Sequence, residues 1–163
     1  VSGSNHATED DLAASFLNLR RGSHQGEPTI HKPALLLASL GCVAQGRPRL
    51  VPFEELEAIV TTGLARIGNP TQVRVHYPFW RLRNDGMWEV PEADQVISNR
   101  AGDVSARALR QAGARGGFAE AIFLRLRANP SLLESIAIAL AAEAFPGTDR
   151  ATALRAFGVM PGS

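Results

Sequence analysis

Cysteine occurs once in 163 residues, at Cys42. A single thiol excludes an internal disulfide and any zinc site built on several thiolates. It lies in the apolar run Leu35 to Ala44 and reads as a small buried hydrophobe. Lysine also occurs once, at Lys32, and Pro33 rather than Ser or Thr follows it, which excludes a phosphate-binding loop of the glycine-lysine kind. No apolar run approaches the roughly 20 residues of a membrane helix. The longest, Ile136 to Ala142, is short and alanine-rich. No signal peptide is read, so a cytoplasmic setting is expected. Net charge is only +1, so bulk electrostatics select no partner.

Catalytic patterns are missing too. The four histidines, His6, His24, His31 and His76, are scattered and form no H-E-x-x-H helix pattern. There is no G-x-S-x-G elbow, and nothing resembles the compact His and Asn/Asp unit of an HNH nuclease. No metal site and no cofactor are expected. Gly113 to Gly117 is glycine-rich but lacks a dinucleotide-binding context and reads as a flexible link between helices. Binding is favoured over catalysis.

What is present is a globular composition, with 45% hydrophobic and 20% charged residues, enough for one domain over 1–163. Codon usage in a GC-rich genome explains much of the arginine excess, but not its placement. Between Leu12 and Leu50, Arg20, Arg21, Lys32, Arg47 and Arg49 face a single acid, Glu27. Between Gln72 and Arg83 there are three arginines and no acid. A basic face on a near-neutral domain suits a polyanion.

Apolar spacing predicts helices over Thr8 to Arg20, from Lys32 or Pro33 to near Gly46, from Pro52 to near Gly68, over Asp103 to Gly113, Phe118 to Ala128 and Leu132 to Phe145, and after Thr148. The second, apolar on nearly every side, should be the central core helix. Pro33 is expected at its first position. Leu50-Val51 reads as a short strand. From Gln72 to Val90 the period changes to alternation, and Asn84-Asp85-Gly86 is a hairpin-turn signal between Phe79–Arg83 and Met87–Val90. The expected fold is mainly α (α+β): a helical domain with one β-hairpin, winged-helix-like in outline.

That hairpin segment, residues 73–90, holds the only Tyr, both Trp, three Arg and one His. Trp80 and Trp88 are expected to stack across it as core. Tyr77 and Pro78 form its entering corner. Arg81 and Arg83 share a strand face, where solvated charge and phosphate contact are equally good readings. His31-Lys32-Pro33 is either a polar lead-in to a buried helix or an anion site, because a helix N-terminus carries N–H groups and positive dipole. Arg100, after Ser98-Asn99, lies in a predicted loop. Together these residues point to a cationic, aromatic surface.

His31-Lys32-Pro33-Ala34-Leu35-Leu36-Leu37, followed downstream by Tyr77-Pro78-Phe79-Trp80-Arg81-Leu82-Arg83-Asn84-Asp85-Gly86-Met87-Trp88-Glu89-Val90, resembles the sulfur-binding domain of McrA-type, phosphorothioation-dependent (type IV) HNH restriction endonucleases. The resemblance covers about residues 10–160. It implies the DNA-recognition domain of a bacterial defence enzyme, with double-stranded phosphorothioate DNA as partner. No HNH-like unit is read in this chain, so the nuclease domain is expected elsewhere in the parent protein. The resemblance also implies selectivity for the Rp isomer in a sequence-dependent context. Its site residues would be His31, Lys32, Tyr77, Pro78, Arg81, Arg83, Asn99 and Arg100, with Arg107 as an alternative to Arg100. The family often carries Arg where Lys32 stands; lysine gives a point charge rather than a bidentate fork. Winged-helix binding of unmodified DNA and a protein-interaction role for the aromatic segment are the alternatives.

Overall fold

The computed structural model of the chain describes residues 30–69, 74–98 and 104–160. The predicted helix over Thr8 to Arg20 and the loop after it fall outside them, as do Asn99 and Arg100. Helix α1, His31–Ala44, is buried continuously from Pro33 through Val43. Only a helix surrounded on all sides has such a pattern. It packs against α2 (Phe53–Arg66), α3 (His76–Arg81), α5 (Glu120–Ala128) and α6 (Pro130–Ala144). Leu35, Leu36, Leu37 and Leu40 are all but fully enclosed. Truncating any one to alanine costs about 2–5 kcal/mol in cores of this kind. Cys42 is buried in the same helix, and burial pushes its thiol above the ordinary range.

Side-chain caps set three further helix starts. Ser105 caps α4 (Ala106–Gln111), its Oγ accepting the Ala108 N–H at 3.0 Å. Asn129 does the same for α6 through the Leu132 N–H. Asp149 caps α7 (Arg150–Ala156) through the Thr152 N–H. Each satisfies a donor that the first helical turn cannot pair internally.

Three short strands complete the fold: β1 (Val51–Pro52), β2 (Trp88–Glu89) and β3 (Arg115–Phe118). They form an antiparallel sheet in the order β1-β3-β2, with Val51 opposite Gly116 and Trp88 opposite Phe118. The mainly helical α+β class therefore holds, with seven α-helices among the described residues.

The expected β-hairpin, and with it the wing, does not form. Residues 76–81 are helical, 82–85 form a 3-10 helix, and β2 pairs with β3 rather than with its own neighbour. The physical reason is visible in burial. Val75, Pro78, Phe79 and Leu82 are all buried, at the i, i+3, i+4, i+7 spacing of one helical face. The aromatic and β-branched composition masked that period. Asn84-Asp85-Gly86 is a stop signal instead of a hairpin turn: Gly86 takes φ 76° at the end of the 3-10 helix. Trp80 and Trp88 do not form the expected stack either. Trp88 meets Phe79 and Phe118 edge to face at 5.9 and 5.6 Å. Phe79 in turn meets Phe53 at 5.0 Å.

Gly113 to Gly117 is likewise no flexible link, since its second half is the central strand. Glycine is needed there for close approach. A Cβ on Gly116 would lie 2.5 Å from the Phe79 ring and 2.8 Å from Trp88. A Cβ on Gly117 would fall onto the Arg49 carbonyl oxygen. A side chain can move aside; the backbone at Arg49 is tied down. The Arg49 guanidinium bonds the Phe118 carbonyl on the central strand at 3.0 Å and Glu89 on β2 at 2.5 Å, tying the two together. Gly117→Ala is therefore expected to destabilise the domain by at least ~1–3 kcal/mol, the usual cost of overpacking. A urea melt followed by circular dichroism checks this; an unchanged midpoint would show that the strands have room to part.

Candidate nucleic-acid interface

Two helices begin side by side and bring the two sequence blocks together. α1 opens His31-Lys32-Pro33, and α3 opens His76-Tyr77-Pro78. In both, proline is the third helical residue rather than the first. That position still lies within the turn whose N–H groups have no helical acceptor, so the missing donor costs no hydrogen bond. α1 packs on α3. At the junction the Arg74 backbone N–H donates to His31 Nδ1 at 3.4 Å. The positive end of the α1 dipole is thus set beside the entry to α3.

Tyr77 is half-buried, whereas Pro78 is buried against the core. Of the expected apolar pair, Tyr77 supplies the accessible face and Pro78 backs it. The Arg81 guanidinium sits over the Tyr77 ring, 4.9 Å from its centroid, as i, i+4 neighbours on a helix do. On the other end of the same residue pair, the His76 ring lies 4.3 Å from the Tyr77 ring. Arg81 also acts on Lys32. Burial pushes the Lys32 ammonium below its ordinary pKa, Asp85 pulls it back up, and Arg81 lowers it further. A half-buried cation with another cation nearby is the environment that an incoming anion relieves.

Arg83 is directed elsewhere. Its guanidinium stacks on Trp80 at 3.6 Å, and its Nε donates to the Trp80 carbonyl at 3.0 Å. The expected common strand face of Arg81 and Arg83 is therefore replaced by two separate aromatic seats, on Tyr77 and on Trp80. Asn99 and Arg100 lie outside the described residues. Arg107 is exposed on α4, while the charges that bear on Lys32 come from Asp85 and Arg81.

Two cations of the basic stretch read before Leu50 are spent on the fold. Arg47 pairs with Glu55, and Arg49 with Glu89. Arg115 holds Glu92 through two guanidinium contacts, at 2.7 and 3.1 Å, and through its backbone N–H. Lys32, Arg74 and Arg81 stand instead at the two helix starts, Arg74 bonded to His31 and Arg81 acting on Lys32. Arg74 and His76, which are not among the sequence candidates, stand at the same junction. The repeated His-x-Pro at both helix starts is the signal that pairs them with His31 and Lys32.

No group of three or more His, Cys, Asp or Glu able to hold a metal occurs among the described residues, and no described helix is long and apolar enough to cross a membrane. The geometry offers an aromatic face ringed by cations.

Comparison with known proteins agrees with that chemistry. The model of the ScoMcrA-like DNA sulfur-binding domain matches residues 9–161. Among solved structures, the sulfur-binding domain of ScoMcrA complexed with phosphorothioated DNA superposes with a TM-score of 0.77 at 26% identity, over 90% of this chain and 94% of that one. ScoMcrA itself, a type IV phosphorothioation-dependent restriction endonuclease, gives 0.71 at 28% identity; the match covers 82% of this chain and 29% of the endonuclease. The sulfur-binding domain of SprMcrA shares the fold, with a TM-score of 0.68 at 22% identity. No curated protein matches this chain. A family model that spans nearly the whole sequence leaves one assignment: the chain belongs to the ScoMcrA-like DNA sulfur-binding domains, a binding module rather than a catalytic one.

Proposed function

We propose that this domain captures a single Rp phosphorothioate in double-stranded DNA, with the sulfur against Tyr77 and the remaining oxygens toward His31 and Lys32. The observation that carries the reading is the meeting of the two helix starts, where one guanidinium, Arg81, both covers the half-exposed Tyr77 ring and acts on the half-buried Lys32 ammonium. A phosphorothioate keeps the negative charge of a phosphate. Its sulfur is larger, more polarisable and a poorer hydrogen-bond acceptor than oxygen. An apolar wall on one side and donors on the other therefore favour it. Ordinary phosphate would press a hydrated oxygen against Tyr77 without recovering its hydrogen bonds, a penalty of roughly 1–3 kcal/mol. Because the wall occupies one side only, the two phosphorus stereoisomers are distinguished.

Pro78 acts from behind by fixing the first turn that aims Tyr77. Arg81 forms the rim, and Arg83 contributes positive charge from its fixed seat on Trp80. Asn99 and Arg100 complete the pocket as the resemblance implies. Bases flanking the sulfur are read from Arg20 to Gln25 and from Arg81 to Asn84, arginine being the usual bidentate partner of guanine. Residues 1–163 act as one recognition domain within a cytoplasmic restriction endonuclease whose HNH nuclease domain lies elsewhere in the parent chain. The matching domain of ScoMcrA, which occupies 29% of its chain, supports that arrangement.

Fluorescence anisotropy with three duplexes of one sequence, carrying Rp sulfur, Sp sulfur or oxygen, tests the reading. Tighter binding of the Rp duplex by roughly 5- to 150-fold is expected, the equivalent of the penalty above. Equal binding of all three ends the proposal in favour of plain DNA binding. In the same assay Tyr77→Ala should lower the Rp-to-oxygen ratio severalfold. Lys32→Ala should weaken both duplexes, because it removes charge that either phosphate uses, and should lower the salt dependence of binding by about one counterion. A Tyr77→Ala ratio equal to that of the unaltered protein would place the sulfur elsewhere.

A further inference from the structure

We infer that Arg74, His76 and Arg110 form a second phosphate site beside the pocket, which takes a neighbouring backbone phosphate of the same DNA irrespective of sulfur and binds it together with a proton. The inference rests on the reading above, since it needs a duplex seated at Tyr77. Successive phosphates on one strand advance by only about 3.4 Å along the duplex axis. A strand whose modified phosphate touches Tyr77 therefore carries its neighbours past the flanking residues. His76 is one of these, its ring 4.3 Å from that of Tyr77. The backbone N–H of exposed Arg74 bonds to His31 Nδ1, so the second cluster is attached to the first.

The charges that face His76 come from every side. Arg74 precedes it in the chain, Arg81 lies farther along α3, Arg110 reaches over from α4, and Glu57 from α2 is the opposing acid. Glu57 is engaged by Arg110, Nη1 to Oε1 at 2.7 Å. The result is a half-buried imidazole among three guanidiniums, one of them restrained by a carboxylate. Burial first, and then the arginines, hold the imidazole below its ordinary pKa, against the pull of Glu57. An arriving phosphate reverses the balance, because a nearby negative charge favours the imidazolium. The pKa is then higher in the complex than in the free domain. Binding accordingly takes up a proton: it is strongest below the free-state pKa and loses this contribution as pH rises through the bound-state value. Arg110 meanwhile exchanges Glu57 for phosphate, so Glu57 acts as a brake on affinity.

The test is anisotropy titration of Rp and oxygen duplexes from pH 7.5 to 5.5 at constant ionic strength. For the unaltered domain, affinity for both duplexes is expected to rise ~3- to 10-fold toward pH 5.5, with a constant Rp-to-oxygen ratio. His76→Gln should flatten that rise and leave the ratio intact. His31→Gln, run in parallel because its imidazole is also within the interface, should weaken binding but keep the rise. Glu57→Gln should tighten both duplexes about two- to threefold by releasing Arg110. Its surface position keeps the test decisive if His76→Gln fails to fold. A full pH rise in His76→Gln, a changed sulfur ratio in that variant, or no gain from Glu57→Gln overturns the second site. Loss of the sulfur ratio in the unaltered domain would strike the pocket reading instead, and the pH arm would still decide this one.

Discussion

The edge-to-face contact of Phe79 with Phe53 and Trp88 is the interaction on which the interface depends. α3 is only six residues long, too short to be stable by its own hydrogen bonds. It persists because Phe79 is fully buried in an aromatic cluster that rests on Gly116 of β3. With one face fixed inward, the opposite face must carry Tyr77 and Arg81 outward. The orientation of the proposed binding surface is thus decided by packing on the far side of the same short helix, and Pro78 adds a backbone that has little freedom left to lose.

The division of charge follows a similar economy. Arginines on the sheet side are matched with acids across strands and loops: Arg47 with Glu55, Arg49 with Glu89, Arg115 with Glu92. Exposed pairs of this kind add little stability one by one, but they cancel field where no ligand is needed. At the helix starts the balance differs, since cations there neighbour aromatic rings and one another. A near-neutral chain thereby presents a local positive surface without carrying net charge into unrelated contacts.

Much of this was legible in the sequence. The central helix and the helix boundaries near Gly46 and Gly68 followed from apolar period and end signals, which are local. The two sequence blocks do lie together, as their helices pack on each other, yet their secondary structure was only half right. Tyr, Trp, Phe and Val prefer strands in general, and over residues 73–83 that preference outweighed the helical spacing of Val75, Pro78, Phe79 and Leu82. β3 was unreadable for a different reason. Gly116 and Gly117 carry no side-chain pattern, and their strand identity comes entirely from partners some thirty to sixty residues away in the chain. Glu57 and Arg110, whose charges bear on His76, lie on helices that no local signal connects to it.

The sheet order β1-β3-β2 has a temporal consequence. Every described residue of the proposed pocket lies before residue 84, but the strand that seats Phe79 and Trp88 ends at Phe118. During synthesis the recognition surface must wait, unsupported, until the middle strand has left the ribosome and slotted between its two elder neighbours. A peptide cut to the recognition blocks alone would carry the right side chains on a helix with nothing to lean on.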